Sequence, residues 1–293
     1  MGGGSWVKAA YDSKVRDMGF TSKMAMVDSA VHQVYRQRKL AYELNPRDVI
    51  RECRDSEEHP ETLPIILALD VTGSMGRATK MCAAKLDEIM DELYKKVKDV
   101  EFCMMGIGDL AYDDAPIQVS QFESDIRIMD QTAKIWFEGG GGGNSFESYT
   151  AAWYFGLRRC DLDCWKRGKK GIIITMGDEP LNPYLPGKAL EKVIGNRNQQ
   201  GYWGDVETNK LYEEACEKFD IYHIAITDDE SSYRMYERRI DESWGKLLGQ
   251  RLLKGKSDDL PKLISQIVTD HLSDGYVLDT GDKAASGDGM IRW

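Results

Sequence analysis

The chain has 293 residues, a formal net charge of −10 and 42% hydrophobic residues, which suffices for one large folded domain or two modest ones. The acidic balance argues against wholesale binding to nucleic acid or to an anionic membrane surface, because both reward a basic face. No apolar run reaches the length of a membrane-spanning helix, and the first residues lack the hydrophobic centre of a signal peptide. The 6 cysteines form no CxxC pair, which favours reduced thiols and a cytoplasmic location.

The predicted elements begin with an N-terminal helical extension. Amphipathic spacing over residues 5–44 predicts helices, and a polar, proline-containing linker follows. The apolar stripe of these helices must be buried, either against the rest of the chain or against a partner. We therefore divide the chain into an extension and linker over 1–60, a main domain over 61–278 and a loose polar tail over 279–293.

Strands and helices alternate through the main domain. Strands are predicted at 65–71, 100–108, 171–176 and 220–227, with a hairpin strand after the second and an edge strand at 250–255. Helices are predicted at 78–97, 147–159, 189–194, 210–219, 231–248 and from 257 onwards. This alternation predicts an α/β fold with a doubly wound, mostly parallel sheet and helices on both faces. In such sheets a ligand site lies at the carboxyl ends of the strands, where the topology switches direction.

Three segments are expected to meet at that edge of the sheet. They are DVTGSMG after the first buried strand, FEGGGGGNSFES before a helix, and MGDEPLN after the third long strand. Together they offer carboxylate, hydroxyl and amide oxygens, carried by Asp70, Thr72, Ser74, Asn144, Ser145 and Asp178. Hard oxygen donors without sulfur or imidazole are the ligands that Mg²⁺, Mn²⁺ or Ca²⁺ prefers. Three further carboxylates could rim the site: Asp109, Glu147 and Glu179.

The glycine run within the second segment could be a tether between domains, since glycine runs usually are. However, the strands on either side of it belong to one alternating pattern, so a cut there would leave each half short of a sheet. We therefore expect the glycines to bring the backbone close to an ion and turn it into the next helix. Taken singly, Asp70 and Ser74 could instead cap a helix, and a solvated hairpin would explain Asp109.

From about residue 63 to 271 the chain resembles a von Willebrand factor A (VWA) domain. The metal-ion-dependent adhesion site (MIDAS) of that family has an Asp-x-Ser-x-Ser motif after the first strand. This sequence has Asp70-Val-Thr72-Gly-Ser74, in which threonine keeps the hydroxyl oxygen. The resemblance implies that the two hydroxyls contact the metal and that the first aspartate acts through water.

The other two segments complete the resemblance with two departures. Asp178 matches the third-loop aspartate, in an order that looks more like alpha-kinase-associated VWA domains than like the commoner Thr-Asp-Gly. The second-loop threonine is missing, so that Asn144 or Ser145 must stand in.

The resemblance implies a binding module rather than an enzyme. An ion held mostly by neutral oxygens keeps much of its charge and attracts an anionic ligand. The expected function is therefore a scaffold or adaptor that docks an aspartate or glutamate of a partner protein through the ion. The family further implies assemblies with AAA+ ATPases, kinases or other multi-protein machines.

A phosphohydrolase of the haloacid dehalogenase class is the enzymatic alternative. DVTGS resembles the Asp-Lys-Thr-Gly-Thr of aspartyl-phosphate pumps, so that Asp70 would attack a phosphate while Asp178 held Mg²⁺. Against it, no clear lysine motif lies between the two, and the glycine-rich loop has no role in that scheme. A nucleotide-binding P-loop would need a lysine after the glycines, which is absent.

Overall fold

The computed structural model describes residues 4–17, 37–75, 81, 85–97, 99–138, 146–195, 204–229 and 231–273. The strands are β1 (Arg51–Cys53), β2 (Leu63–Asp70), β3 (Val100–Ile107), β4 (Ile117–Val119), β5 (Cys160–Leu162), β6 (Gly171–Gly177), β7 (Tyr184–Leu185), β8 (Val206–Glu207), β9 (Phe219–Ile226) and β10 (Leu252–Gly255). Six of them form one sheet in the order β10-β9-β6-β2-β3-β4. Only β4 in this sheet is antiparallel to its neighbour, which gives the hairpin expected after the second strand.

The strand order places the ligand edge. The chain builds the sheet outward from β2 through β3 to β4, and then returns to the other side of β2 to add β6, β9 and β10. The direction therefore reverses between β2 and β6. In doubly wound sheets, the crevice at the carboxyl ends of two such strands is where ligands bind.

Helices cover both faces of this sheet. In chain order they are α1 (Lys8–Asp17), α2 (Leu86–Tyr94), α3 (Arg127–Thr132), α4 (Ala151–Arg159), α5 (Asp163–Lys166), α6 (Gly187–Ile194), α7 (Thr208–Cys216), α8 (Tyr233–Ile240), α9 (Lys246–Leu248) and α10 (Leu260–Ser273). A π-helical turn, Asp241–Gly245, joins α8 to α9. Short 3-10 turns occur at Tyr42–Leu44, Gly73–Met75, Gly249–Arg251 and Ser257–Asp259.

Alternation along the strands divides the core into two layers. On β2, Ile65, Leu67 and Leu69 join the core under α1, α2, α3 and α10, whereas Ile66 and Ala68 join the core under α4, α6, α7 and α8. Successive strand residues point to opposite faces, so a continuous apolar strand must be covered on both sides. The predicted α/β architecture is confirmed.

The described part of the N-terminal extension packs against the main domain. Trp6, Tyr11 and Val15 are buried within the core layer that includes α2. The indole Nε1 of Trp6 donates a hydrogen bond of 2.9 Å to Asp91 Oδ1 on α2. The apolar side chains within residues 4–17 are therefore covered by the same chain.

A short parallel pairing of β1 with β5 was not predicted. β1 lies in the segment expected to be a surface linker, yet Cys53 is buried and β1 pairs with β5. The helix predicted to end at residue 159 does so, and Cys160 begins β5 directly after it. Strands of three residues are too short to show periodicity in sequence.

Several predictions fall outside the described residues: the apolar stripe between 18 and 36, the glycine run with Asn144 and Ser145, and the tail from 274 onwards. Among the residues that the structure describes, no helix combines the length and apolarity needed to cross a membrane.

Candidate functional site at the carboxyl edge

Asp70 and Asp178 end neighbouring strands at the switch point. Asp70 is the last residue of β2 and pairs with Ile107 of β3. Leu69 of β2 pairs with Met176 of β6, so Asp178, two residues further on, emerges at the same edge. Both aspartates are fully buried. The parallel register thus brings together two carboxylates that lie far apart in sequence.

Asp70 is held by hydrogen bonds to both of its carboxylate oxygens. Its Oδ1 accepts from the backbone N–H of Thr72 at 2.9 Å and from the Thr72 hydroxyl at 2.6 Å. Its Oδ2 accepts from the hydroxyl of Tyr149 at 2.6 Å. Hydrogen bonds of this length to a carboxylate are among the stronger ones in proteins. The orientation of the Asp70 carboxylate is therefore fixed from two sides.

The third loop is fixed by α8 and the π-helical turn that follows it. The backbone N–H of Ser232, just before α8, donates to Asp178 Oδ2 at 2.6 Å. Within the turn, Ser243 Oγ accepts from the backbone N–H of Leu181 at 3.1 Å, and Trp244 Nε1 donates to the carbonyl of Glu179 at 3.1 Å. π-Helical turns recur at functional sites, and here one clamps the loop that carries Asp178.

Three further carboxylates are buried around these two, as the sequence suggested for the rim. Asp109, Glu147 and Glu179 are 4%, 3% and 8% exposed. Each has one buried oxygen without a hydrogen-bond partner among the described residues, namely Asp109 Oδ2, Glu147 Oε2 and Glu179 Oε2. Buried polar atoms are nearly always paired, since an unpaired one costs free energy. We call Asp70, Asp109, Glu147, Asp178 and Glu179 the carboxyl-edge site.

Three carboxylates of the carboxyl-edge site, those of Asp70, Glu147 and Glu179, have raised pKa values. Burial raises the pKa of Asp70, and the charge of Asp178 adds to this effect. Burial also raises the pKa of Glu147 strongly, with Asp70 and Glu179 as the next causes. The pKa of Glu179 is raised to about 8 by burial, Asp70 and Asp178, although Arg239 acts in the opposite direction. This edge therefore favours a proton or a cation.

Sequence reasoning missed the residues that tie the loops together. Ser148, Tyr149 and Thr150 each bond a different loop: the backbone N–H of Ser148 donates to Gly108 O at 3.1 Å, Tyr149 bonds Asp70, and the backbone N–H of Thr150 donates to Asn182 Oδ1 at 3.2 Å. Because these residues are engaged in this way, α4 begins at Ala151, after the predicted start of its helix. The available signal was the polar triplet directly between the glycine run and an apolar helix.

The structure describes only part of the predicted donor set. Thr72 is buried beside Asp70, whereas Ser74 lies in the 3-10 turn Gly73–Met75 with its side chain outside the described atoms. Asn144 and Ser145, the two residues predicted to replace the second-loop threonine, also lie outside the described residues.

The donor chemistry of this edge fits a hard divalent cation. Among the described residues, no three Asp, Glu, His or Cys side chains converge closely enough to hold a metal by themselves. A set with two carboxylates and hydroxyl oxygens does not need such a trio. Three buried carboxylate oxygens at this edge, of Asp109, Glu147 and Glu179, accept no hydrogen bond from the described residues and could accept contact from a cation.

The phosphohydrolase alternative gains no support from the site. Both oxygens of Asp70, the expected nucleophile, accept hydrogen bonds from Thr72 and Tyr149. The charged group that contributes most to its pKa is Asp178, a second carboxylate rather than a lysine.

No protein-family model matches the chain, and no curated protein matches it. Similar solved structures include the pilus adhesin SpaC from Lactobacillus rhamnosus GG, with 13% identity and a TM-score of 0.43 over 78% of this chain and 31% of that one. The vWF domain of the type V pili tip protein Mfa5 from Porphyromonas gingivalis has 10% identity and a TM-score of 0.44, covering 79% of this chain and 98% of that one. The conserved hypothetical protein BatB from Bacteroides thetaiotaomicron has 15% identity and a TM-score of 0.41, covering 72% and 99%. The chain thus spans 31% of the length of the SpaC adhesin.

Proposed function

We propose that this chain is a VWA-type protein-interaction module that binds a divalent cation at its carboxyl edge and docks an acidic side chain of a partner protein there. The observation that carries the proposal is the meeting of Asp70, Thr72 and Asp178 at the switch point, beside three buried carboxylates that each keep an oxygen without a hydrogen-bond partner among the described residues. The motif resemblance supports the same assignment. In this proposal the module acts as a scaffold and has no catalytic residue.

The residues proposed to hold the cation are Asp70, Thr72, Ser74 and Asp178, with Asn144 or Ser145 as the donor from the second loop. Thr72 suits this task because its hydroxyl donates its proton to Asp70, and a hydroxyl oxygen in that state still carries electron pairs for a cation. A bound Mg²⁺ or Mn²⁺ would supply a coordination position for a carboxylate ligand.

The first experiment tests the cation alone. The purified chain is titrated with MgCl₂, MnCl₂ and CaCl₂ by isothermal titration calorimetry. We expect one of these cations to bind, and Asp70→Asn and Asp178→Asn to abolish binding. Asp163→Asn, which removes a partly buried carboxylate paired with Arg54 elsewhere in the fold, is the control and retains binding. Absence of binding for all three cations, or equal binding by Asp70→Asn, contradicts the proposal.

The second experiment tests docking. The immobilised chain is exposed to native lysate with Mg²⁺, with EDTA, and as the Asp70→Asn variant. The proposal expects a partner that is retained only by the wild type with Mg²⁺, and whose capture a soluble acidic peptide reduces. Partners retained equally in all three conditions would show that the ion is not the docking point. Mg²⁺-dependent hydrolysis of p-nitrophenyl phosphate, lost in Asp70→Asn, would favour the enzymatic alternative instead.

A further inference from the structure

Tyr149 is the unexpected neighbour of the site. It lies between the glycine run and α4, it is fully buried, and its hydroxyl donates to Asp70 Oδ2 at 2.6 Å. No sequence motif of the three loops includes it. Because the phenol is closed off from water, this hydrogen bond does not compete with solvent, and Asp70 keeps it as a fixed partner.

Two aromatic side chains fix the ring of Tyr149. It packs edge-on against His223 of β9, with centroids 5.4 Å apart, and against Trp244 of the π-helical turn at 5.7 Å. His223 and Trp244 are themselves stacked at 3.8 Å with an interplanar angle of 5°. The hydroxyl is therefore presented at one place by an aromatic cluster, rather than by a side chain free to swing.

The backbone around Tyr149 is fixed as well. The Ser148 hydroxyl accepts from the backbone N–H of Leu110 at 3.0 Å, which ties this segment to the loop after β3. The Thr150 hydroxyl accepts from Asn182 Nδ2 at 2.6 Å, which ties it to the third loop. Tyr149 thus reaches Asp70 from the residue at which the three loops are joined.

Gly177 supplies the space that this hydrogen bond needs. A Cβ atom built on Gly177, the last residue of β6, would lie 2.1 Å from the Tyr149 hydroxyl oxygen and 2.5 Å from two ring carbons. Such distances are far below van der Waals contact, so any side chain at position 177 would displace the phenol from Asp70. The two residues are matched: the glycine is required where it is because the tyrosine passes over it.

We propose that Tyr149 is a positioning residue for the cation site, which fixes the orientation of the Asp70 carboxylate through its hydroxyl, and that Gly177 is required to admit it. The inference rests on the proposed function, since it assumes that Asp70 serves a cation. Groups that hydrogen-bond a metal-binding carboxylate set its direction, and their loss typically weakens metal binding by about 10- to 100-fold.

The test compares Tyr149→Phe with Tyr154→Phe. Both changes remove the hydroxyl of a buried tyrosine from the same segment, but Tyr154 lies on α4, away from the three loops. Affinity for Mn²⁺ is measured by calorimetry, and the melting temperature of each variant is measured in EDTA. We expect Tyr149→Phe to lower Mn²⁺ affinity about tenfold or more and Tyr154→Phe to leave it unchanged, even where the two variants melt alike without metal.

Gly177→Ala provides a second, independent variant in case Tyr149→Phe does not fold. It keeps the tyrosine but forces it away from Asp70, so we expect a comparable loss of Mn²⁺ affinity. A folded variant of either kind that binds Mn²⁺ as the wild type does overturns the positioning role and leaves the cation site intact. A wild-type protein that binds none of Mn²⁺, Mg²⁺ and Ca²⁺ overturns both the positioning role and the proposed function.

Discussion

The two edges of the central sheet differ in how their carboxylates are paired. At the amino edge, the partly exposed Asp55, Asp161 and Asp163 are each paired with an arginine, Arg54 or Arg167; we call these five residues the amino-edge network. Arg54 Nη1 lies 3.0 Å from Asp163 Oδ1, and Lys166 Nζ lies 2.6 Å from the same oxygen. At the carboxyl edge, the buried Asp109, Glu147 and Glu179 each keep an oxygen without a hydrogen-bond partner among the described residues.

The pKa values follow this difference. Hydrogen bonds from Lys166, from the backbone of Asp55 and from Arg54 outweigh burial and lower the pKa of Asp163 to about 2. At the carboxyl edge, burial and like charges raise the pKa of Glu179 to about 8. Ion pairs at the amino edge stabilise the fold. At the carboxyl edge, burial and repulsion between carboxylates cost stability and favour a proton or a cation. The comparison separates a structural cluster from a candidate functional one.

The largest expected effect is stabilisation by a cation at the carboxyl edge alone. A ligand at a free concentration of 100 times its Kd adds about 2.7 kcal/mol to the free energy of unfolding. We expect Mn²⁺ or Mg²⁺ to raise the melting temperature of the wild type and of Asp163→Asn, but not that of Asp70→Asn. An equal rise in Asp70→Asn would mean that the cation binds elsewhere.

The pH dependence of the metal-free protein should follow the acids with raised pKa values, of which Glu179 is one beside Asp70 and Glu147. The folded-state pKa of Glu179, about 8, lies above the ordinary value of 4.5, so the folded state binds the proton more tightly. The contribution of this group to stability is therefore greatest at low pH and is lost as pH rises from about 5 to 8, by at most roughly 1.4 kcal/mol per pH unit. Urea unfolding in EDTA at several pH values measures this slope.

We expect Glu179→Gln to flatten that slope. Asp163→Asn is the matched control, because its carboxyl titrates at lower pH, and it should leave the slope between pH 5 and 8 unchanged. Identical slopes in the wild type and Glu179→Gln would remove the contrast between the two edges.

Removal of a paired carboxylate should destabilise the protein without metal. Asp163→Asn loses its contacts with Arg54 and Lys166, and we expect about 2 kcal/mol less free energy of unfolding at pH 7, since hydrogen bonds to charged groups are worth this much. The pKa of Asp163 in the folded state lies below its ordinary value of 3.8. This stabilisation is therefore present above about pH 4 and is lost as pH falls towards 2. Urea unfolding in EDTA measures both, and Glu179→Gln, which should not destabilise at pH 7, is the control.

The smallest effect is expected for an exposed ion pair on α8. Arg238 Nε and Glu242 Oε1 lie 2.7 Å apart, but both side chains are exposed. Solvent screens such a pair, so Arg238→Ala should leave the free energy of unfolding almost unchanged. A loss in urea unfolding as large as that of Asp163→Asn would show that pairing at the surface matters as much as pairing at the amino edge.

The sequence predicted the long elements of the sheet well. β2, β3, β6 and β9 are continuous apolar runs, and their lengths and order gave the doubly wound architecture and the edge at which Asp70 and Asp178 meet. It failed for β1 and β5, whose three residues carry no period, and for the start of α4, where Ser148, Tyr149 and Thr150 bond three loops instead of continuing the helix.

The order Met-Gly-Asp at the end of β6 is a second feature that the sequence alone did not explain. In sequence it was a departure from the commoner Thr-Asp-Gly of the resembling family, without a reason. The structure supplies one, because Gly177 is where the phenol of Tyr149 passes on its way to Asp70. Nothing in the local sequence couples a glycine at 177 to a tyrosine at 149.

The sequence by itself determined the alternation of strands and helices, because the hydrophobic period of each segment is a local property of the chain. That alternation in turn predicted the edge of the sheet at which a ligand would bind. Only the tertiary structure decided which carboxylates are paired and which are not. That distinction depends on whether a basic side chain from a distant segment reaches an acid, as Arg167 reaches Asp55, whereas no arginine or lysine of the described residues forms an ion pair with Glu147. Burial and long-range contact set the charge balance, and both arise only when the chain has folded.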